Sequence, residues 1–381
     1  MSDTSPAATP LPSAGARVAL RVDYLLLTAN PTEAAAANEV LSLQYEAEVG
    51  EAPETLQYRW GYITPQGSQS PLTVALVWLS DDLGTVPAYA TAKKAVELLH
   101  PQYFIILGIA AGVSTDDVHL RPGDIVYSRF VRAGPEGRGS TLREVPIHQP
   151  SPSLIRASEK VGSNSSWRNG LDESKWKAAL AASALPDTTP KPQVLTGEVV
   201  SKDGFVGAYD PFVCNCVGTY PKLAAFDMET GGVGRLIREL AEKDRPPAYL
   251  FVKGISDIVF DKDRKAEFER LSAQEREQHN KEERERWKPF ASHASVVFVR
   301  TLLSLLRPTR HKPAHPDMLW RPVERKPAEV NAGCIGVYTS VEPEAYSTLA
   351  ASLLDHVSRD AADGPGGHLK VPHLWPGQSP P

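Results

Sequence analysis

The sequence predicts an α/β protein: a three-layer α/β/α fold around a mostly parallel or mixed central sheet, followed by a largely irregular C-terminal tail. Three observations lead there. The runs "VDYLLLTA" (22–29), "YFIILGIA" (103–110) and "PAYLFVKGIS" (247–256) are continuously apolar, as strands buried on both faces must be. Amphipathic or alanine-rich helical stretches alternate with them. The chain has 381 residues, enough to bury a core of this kind.

In order along the chain, residues 1–16 read as a disordered leader, poor in large apolar residues and rich in proline. After the first strand, "NPTEAAAANEVLSLQ" (30–44) is a helix with Asn30 as its cap and Pro31 in its first turn. "LQYRWGYIT" (56–64) and "LTVALVWLS" (72–80) are strands, and "PAYATAKKAVELL" (87–99) is a helix. The strand at 103–110 is expected to end in a small-residue turn, "GIAAG" (108–112). "DIVYSRFV" (124–131), "VLTGEVVS" (194–201) and "AAFDME" (224–229) are further strands. Helices are expected near 151–161, near 173–184 and from Gly231. Two helices close the domain: a densely charged one over 262–286 and an apolar-faced one over 288–306. The domain spans 17–309. Residues 310–381 form a proline-rich linker and one short amphipathic helix, "PEAYSTLAASLLDHV" (343–357), too little for a core of its own.

Composition excludes several classes of function. A net charge of −5 argues against a broad nucleic-acid surface. The cysteines, Cys214, Cys216 and Cys334, have no zinc spacing, so the expectation is a reduced, cytoplasmic protein without structural metal. The N-terminus has no basic-then-apolar signal pattern, and no apolar run approaches the roughly 20 residues that span a bilayer. The glycine-rich stretch is neither G-x-G-x-x-G nor a P-loop, and no cofactor is expected.

In open α/β sheets, ligands bind at the carboxyl ends of strands. That rule selects Ala29–Glu33, Gly108–Gly112, Phe226–Glu229 and Gly254–Asp257, and three of the four carry an acid. Each acid has an ordinary structural explanation beside the functional one. Glu33 suits the positive end of a helix dipole, Asp257 a cap or turn, and Asp227 and Glu229 an exposed strand end. Phe205 suits a core as well as a stacking platform.

Taken together and in order, these segments resemble the nucleoside phosphorylase and nucleosidase superfamily, most closely its methylthioadenosine/S-adenosylhomocysteine nucleosidase branch. "LLLTANPTEAAA" is similar to the branch's first strand and turn. "FIILGIAAGVSTDDVHLRPGDIVYS" is similar to its glycine-rich segment and "GDIV" strand. "TGEVVSKDGFV" is similar to its "G-x-x-x-x-x-D-x-F" segment, "FDMETGGVGRLI" to its "DMEAAA" motif, and "VKGISDIV" to its "R-x-ISD" motif. The resemblance covers residues 20–306. "WKPFASHAS" (287–295) also resembles nucleosidase domains that serve as effectors in bacterial immunity and in fungal receptor proteins.

The resemblance implies a hydrolase that cleaves the N-glycosidic bond of a purine nucleoside or nucleotide, with adenine as the expected base. In that reading Glu229 takes both ribose hydroxyls and Met228 packs on the sugar. Asp257 donates a proton to the base, and Glu33 deprotonates the attacking water. Phe205 stacks on the base and the backbone of Val206 reads its edge. Gly108, Ile109 and Ala110 line the sugar side. An oxocarbenium-like transition state needs a proton donor on the leaving base and a general base for water.

Two departures favour water over phosphate. Glu33 lies where related phosphorylases carry an arginine, and Ile109 replaces the family's usual serine. A purine nucleoside phosphorylase and a non-catalytic nucleotide sensor remain the alternatives. Arg59, Arg129, Arg132 and Lys202 are expected near binding loops, where a 5′ phosphate chain would meet them. The charged helix at 262–286 is expected to cap the site or mediate assembly. The superfamily implies a homo-oligomer, and the tail is expected to dock a protein partner.

Overall fold

The computed structural model describes residues 21–49, 56–67, 71–79, 83–133, 150–183, 185–243 and 246–306. The larger of two compact units comprises 22–47 and 56–308. The expected leader, linker and tail helix lie outside the described residues.

Among the described residues, nine strands form one mixed sheet in the order β2-β3-β4-β1-β5-β8-β7-β6-β9. They are β1 (Tyr24–Thr28), β2 (Tyr45–Val49), β3 (Leu56–Ile63), β4 (Leu72–Trp78), β5 (Tyr103–Ser114), β6 (Ile125–Ala133), β7 (Val194–Ser201), β8 (Leu223–Asp227) and β9 (Ala248–Asp261). β1 runs parallel to β4 and β5, while β3 is antiparallel to β4. β9 pairs with both β5 and β6, so β5, β8, β7, β6 and β9 close on themselves.

The helices are α1 (Pro31–Leu41), α2 (Thr85–Leu99), α3 (Pro152–Ser163), α4 (Glu173–Ala181), α5 (Pro211–Thr219), α6 (Thr230–Ala241), α7 (Lys265–Phe268) and α8 (Ala273–Leu305). α1, α3, α4 and α8 share one apolar cluster with Tyr24 and Leu26 of β1 and Leu250 and Val252 of β9. Leu25, Leu27 and Phe251, one residue out of phase, are equally buried toward the opposite face. Both faces are therefore covered, which is why these strands read as unbroken apolar runs. On that other side α2 packs against α6.

Three expectations are corrected. "GIAAG" is no turn: β5 continues through it to Ser114, pairing with β9 and, at Ala111 and Gly112, with β8. Its small residues answer a close approach of neighbouring groups, described below. The two closing helices are one. After a single turn of 3₁₀ helix and α7, a Ser272–Glu275 capping box starts α8, which runs through Pro289. Proline forfeits one helical hydrogen bond, and buried Trp287, Phe290, Ala291 and Ala294 hold the helix on either side. That stripe is also the "WKPFASHAS" motif, whose i, i+3, i+4, i+7 spacing is thus a packing face. Finally, the sequence reading lacks β2 and α5: an edge strand whose sequence continues a helical run, and a nine-residue helix too short for a clear period.

β9 and α8 meet closely at Gly254, where an added Cβ would lie 2.1 Å from the Ala291 carbonyl oxygen. Because that oxygen is backbone, a side chain there forces strand and helix apart. Gly254→Ala is expected to cost about 3 kcal/mol of stability, measured by urea unfolding.

Candidate active site

One cavity, about 740 Å³ with its mouth included, gathers the residues singled out above. Glu33, Ile109, Ala110, Phe205, Val206, Met228, Glu229 and Asp257 all line it. Gly108 is not among the lining residues, and its role lies one step behind. All three acids are buried: Glu229 is no exposed strand end, Asp257 lies within β9 rather than at a cap or turn, and Glu33 does occupy the first turn of α1.

Glu33 is set by the start of α1. The Asn30 side chain accepts from the Glu33 N–H (3.1 Å), and Pro31 opens the helix. The carboxylate then accepts from two backbone donors, Ala29 N–H at 2.8 Å and Ile109 N–H at 3.0 Å. Gly108 makes this approach feasible: a Cβ there would lie 2.6 Å from Glu33 Oε2, and its φ of 155° is one that L residues rarely adopt. Ile109, which stands in place of the family's usual serine, thus contributes its backbone N–H. Burial raises the Glu33 pKa, opposed by Lys253, by the two N–H donors and by Lys288.

Asp227 ends β8, and Glu229 stands just before α6. Asp227 accepts from the Thr230 hydroxyl (2.6 Å), and both acids meet Lys253 of β9, whose Nζ is 3.0 Å from Asp227 and 3.3 Å from Glu229. The Lys253 side chain is only 1% exposed. Burial alone would lower its pKa, but Asp227, Glu229 and Glu33 outweigh burial and raise it, so it remains an ammonium ion. Burial also raises Glu229, with Lys253 pulling against it and the neighbouring acids adding to it. The sequence carried a signal for Lys253, an isolated cation inside "AYLFVKGIS", which the reading passed over.

Asp257 sits inside β9 with no exposed surface. Ser256 donates to Oδ1 at 2.7 Å. Arg284 of α8 brings Nε to 3.3 Å from Oδ1 and Nη2 to 3.1 Å from Oδ2. Burial raises the Asp257 pKa, against the lowering effect of Arg284 and Ser256. The Arg284 guanidinium lies over the Phe205 ring, 4.6 Å from its centroid. The loop carrying Phe205 is tied down by Asp203, which accepts from the Thr85 N–H and hydroxyl at the start of α2.

The expected basic residues are elsewhere. Arg59 pairs with Glu46, Arg129 with Glu159 and Arg132 with Glu198, while Lys202 lies over Phe212; none of the four lines the cavity. The cations that do line it, Arg284 and Lys288, come with Glu285 from the charged part of α8. That helix therefore borders the cavity.

No protein-family model matches the sequence, and no curated protein matches it. Solved structures do. A methylthioadenosine/S-adenosylhomocysteine nucleosidase from Colwellia psychrerythraea, in complex with adenine, is 17% identical with a TM-score of 0.50, covering 75% of this chain and 96% of that one. Futalosine hydrolase of Helicobacter pylori is 13% identical with a TM-score of 0.51, covering 74% and 97%. The methylthioadenosine/S-adenosylhomocysteine nucleosidase of Helicobacter pylori, with butyl-thio-DADMe-Immucillin-A, is 13% identical with a TM-score of 0.52, covering 75% and 99%. The chain has the nucleoside phosphorylase/nucleosidase-like fold.

Two stability measurements probe this charge arrangement. Lys253→Met strands Asp227 and Glu229 without their counter-ion and is expected to cost about 3–5 kcal/mol at pH 7. The loss should shrink toward pH 5 as Glu229, whose pKa burial lifts to about 7, takes up a proton. Glu283 of α8 accepts from the Ile258 N–H at 2.8 Å, and burial, reinforced by Asp257, lifts its pKa from 4.5 to about 7. A raised folded-state pKa stabilises fully below the unfolded value and loses that stability as pH climbs through the folded one. Glu283 should thus account for about 3 kcal/mol of lost stability between pH 4.5 and 7. Glu283→Gln should flatten that part of the urea-unfolding profile.

Proposed function

We propose that this protein hydrolyses the N-glycosidic bond of a purine nucleoside or nucleotide, with adenine the expected base. The observation that carries this reading is the convergence of Glu33, Glu229 and Asp257, from three distant segments, on one cavity that Phe205 also lines. In the reading, Glu229 holds the ribose hydroxyls against Met228, and its bonds strengthen as positive charge grows on the sugar. Glu33, oriented through both oxygens, takes the proton of the attacking water. Asp257 protonates the departing base, a task that suits a buried carboxyl with a raised pKa. Phe205 stacks on the base and the Val206 backbone reads its edge.

Water is preferred over phosphate because the buried part of the site is rich in carboxylate. Three acids, Glu33, Asp227 and Glu229, act on the single ammonium of Lys253. A second anion 4 Å from a carboxylate meets about 4 kcal/mol of repulsion per unit charge pair at an effective dielectric of 20. The immune-effector resemblance rests on a motif that packs the core, so the reading is confined to the chemistry.

The test is chromatography after incubation with adenosine, methylthioadenosine, AMP and ATP, with and without phosphate. Free base released without phosphate is the expected result. A sugar 1-phosphate would make the protein a phosphorylase, and tight binding without base release would make it a sensor. Glu33→Gln and Asp257→Asn should each lower kcat by about 10²–10⁴-fold.

A further inference from the structure

Arg284 touches two of the three groups that the nucleosidase reading assigns to the purine, Phe205 and Asp257. Its planar guanidinium lies over Phe205, 4.6 Å from the ring centroid, and it holds Asp257 through Nε (3.3 Å) and Nη2 (3.1 Å). A flat, aromatic-stacking group that also reaches the Asp257 carboxylate is what a purine base would be in the same place. Phe205 is 68% exposed, so its ring is presented to the cavity mouth rather than to the core.

The hydrogen bonds make the conflict specific. Asp257 Oδ1 accepts from Ser256 and Arg284, and Oδ2 accepts from Arg284 and, at 3.5 Å, Asn280. Ser256 and Asn280 can also accept, but the guanidinium can only donate, so while Arg284 engages both oxygens it favours the carboxylate over the acid. Proton donation to a base therefore requires the guanidinium to leave.

We propose that Arg284 stands in for the purine base: an entering base displaces its guanidinium from Phe205 and Asp257, and that displacement converts Asp257 from a paired carboxylate into a protonated acid. The proposal rests on the purine reading above. As the cation withdraws, Asp257 remains buried among Ser256 and the incoming neutral ring, and it takes up one proton from solvent. That proton passes to the base as the C1′–N9 bond breaks and its electron pair moves into the ring, leaving Asp257 a carboxylate again. Arg284 has somewhere to go. Its side chain is 17% exposed, so a long, flexible stem can carry the guanidinium outward into solvent at the cavity mouth. The acid is thereby armed by its own substrate.

The other groups around Asp257 bear on the test. Ser256 faces it from β9, and Arg284, Asn280 and Glu283 face it from α8. Glu33 and Glu229 share the cavity from α1 and the β8–α6 turn. Glu283 is the rival proton acceptor, since burial lifts its pKa to about 7.

Calorimetric titration of the full chain with adenine at pH 7.5, in buffers of differing ionisation enthalpy, reads affinity and proton uptake together. The wild type is expected to take up close to one proton per adenine bound, and Glu283→Gln to do the same. Arg284→Met should bind adenine about tenfold more tightly, because no resident group must be displaced. It should take up few protons, because Asp257 is already protonated. Absence of proton uptake in the wild type overturns the proposal without any variant. So does loss of uptake in Glu283→Gln, or an Arg284→Met protein that matches the wild type in both readouts. Failure of adenine to bind either protein overturns the purine reading itself, and this proposal with it.

Discussion

A single buried ammonium group lets the cavity exist. Glu33 comes from α1 and Asp227 and Glu229 from the junction of β8 and α6, and burial works against carrying these charges together. Lys253 lies within 3.0 and 3.3 Å of Asp227 and Glu229 and acts on Glu33 through space. Without it, folding would bury these acids with no counter-ion or leave them apart. With it, carboxylates can be kept under partial charge compensation and held in fixed directions. The cation sits on β9, the strand whose pairing with both β5 and β6 closes that end of the sheet. Closure and electrostatics are thus one constraint: the strand that seals the fold carries the charge that its interior needs.

The second cation is of another kind. Arg284 belongs to α8, and its contacts with Asp257 and Phe205 run along the edge of the cavity. Lys253 is locked between two acids on a central strand, whereas Arg284 is a long side chain on a helix whose first half is charged and bordered by solvent. One cation belongs to the floor of the site and the other to its wall. Gly108 and Gly254 show how little slack separates these layers, since a Cβ at either would collide with Glu33 or with the α8 backbone.

Much of the architecture was legible because burial on two faces leaves unbroken apolar runs, and β1, β5 and β9 all announced themselves in this way. Asn30 and Pro31 marked the start of α1, a purely local signal. The glycine-rich segment misled for the converse reason. Glycine signals either a turn or a close approach, and a one-dimensional pattern does not separate the two; the carboxylate of Glu33 pressing on Gly108 does. The same limit applies to Pro289, a helix breaker by local rules that buried Trp287 and Phe290 override.

The sequence by itself determined which residues can carry chemistry: acids at the carboxyl ends of apolar strands, an aromatic beside them and a lysine inside a strand. Only tertiary structure decided their partners. Asp227 and Glu229 find Lys253 some two dozen residues on, Asp257 finds Arg284 across from another element, and Arg59, Arg129, Arg132 and Lys202 are taken up by other groups. The reason is physical. Backbone periodicity and capping are local and leave a trace in neighbouring letters, whereas a buried charge is balanced by whatever group the packed layers bring within a few ångströms.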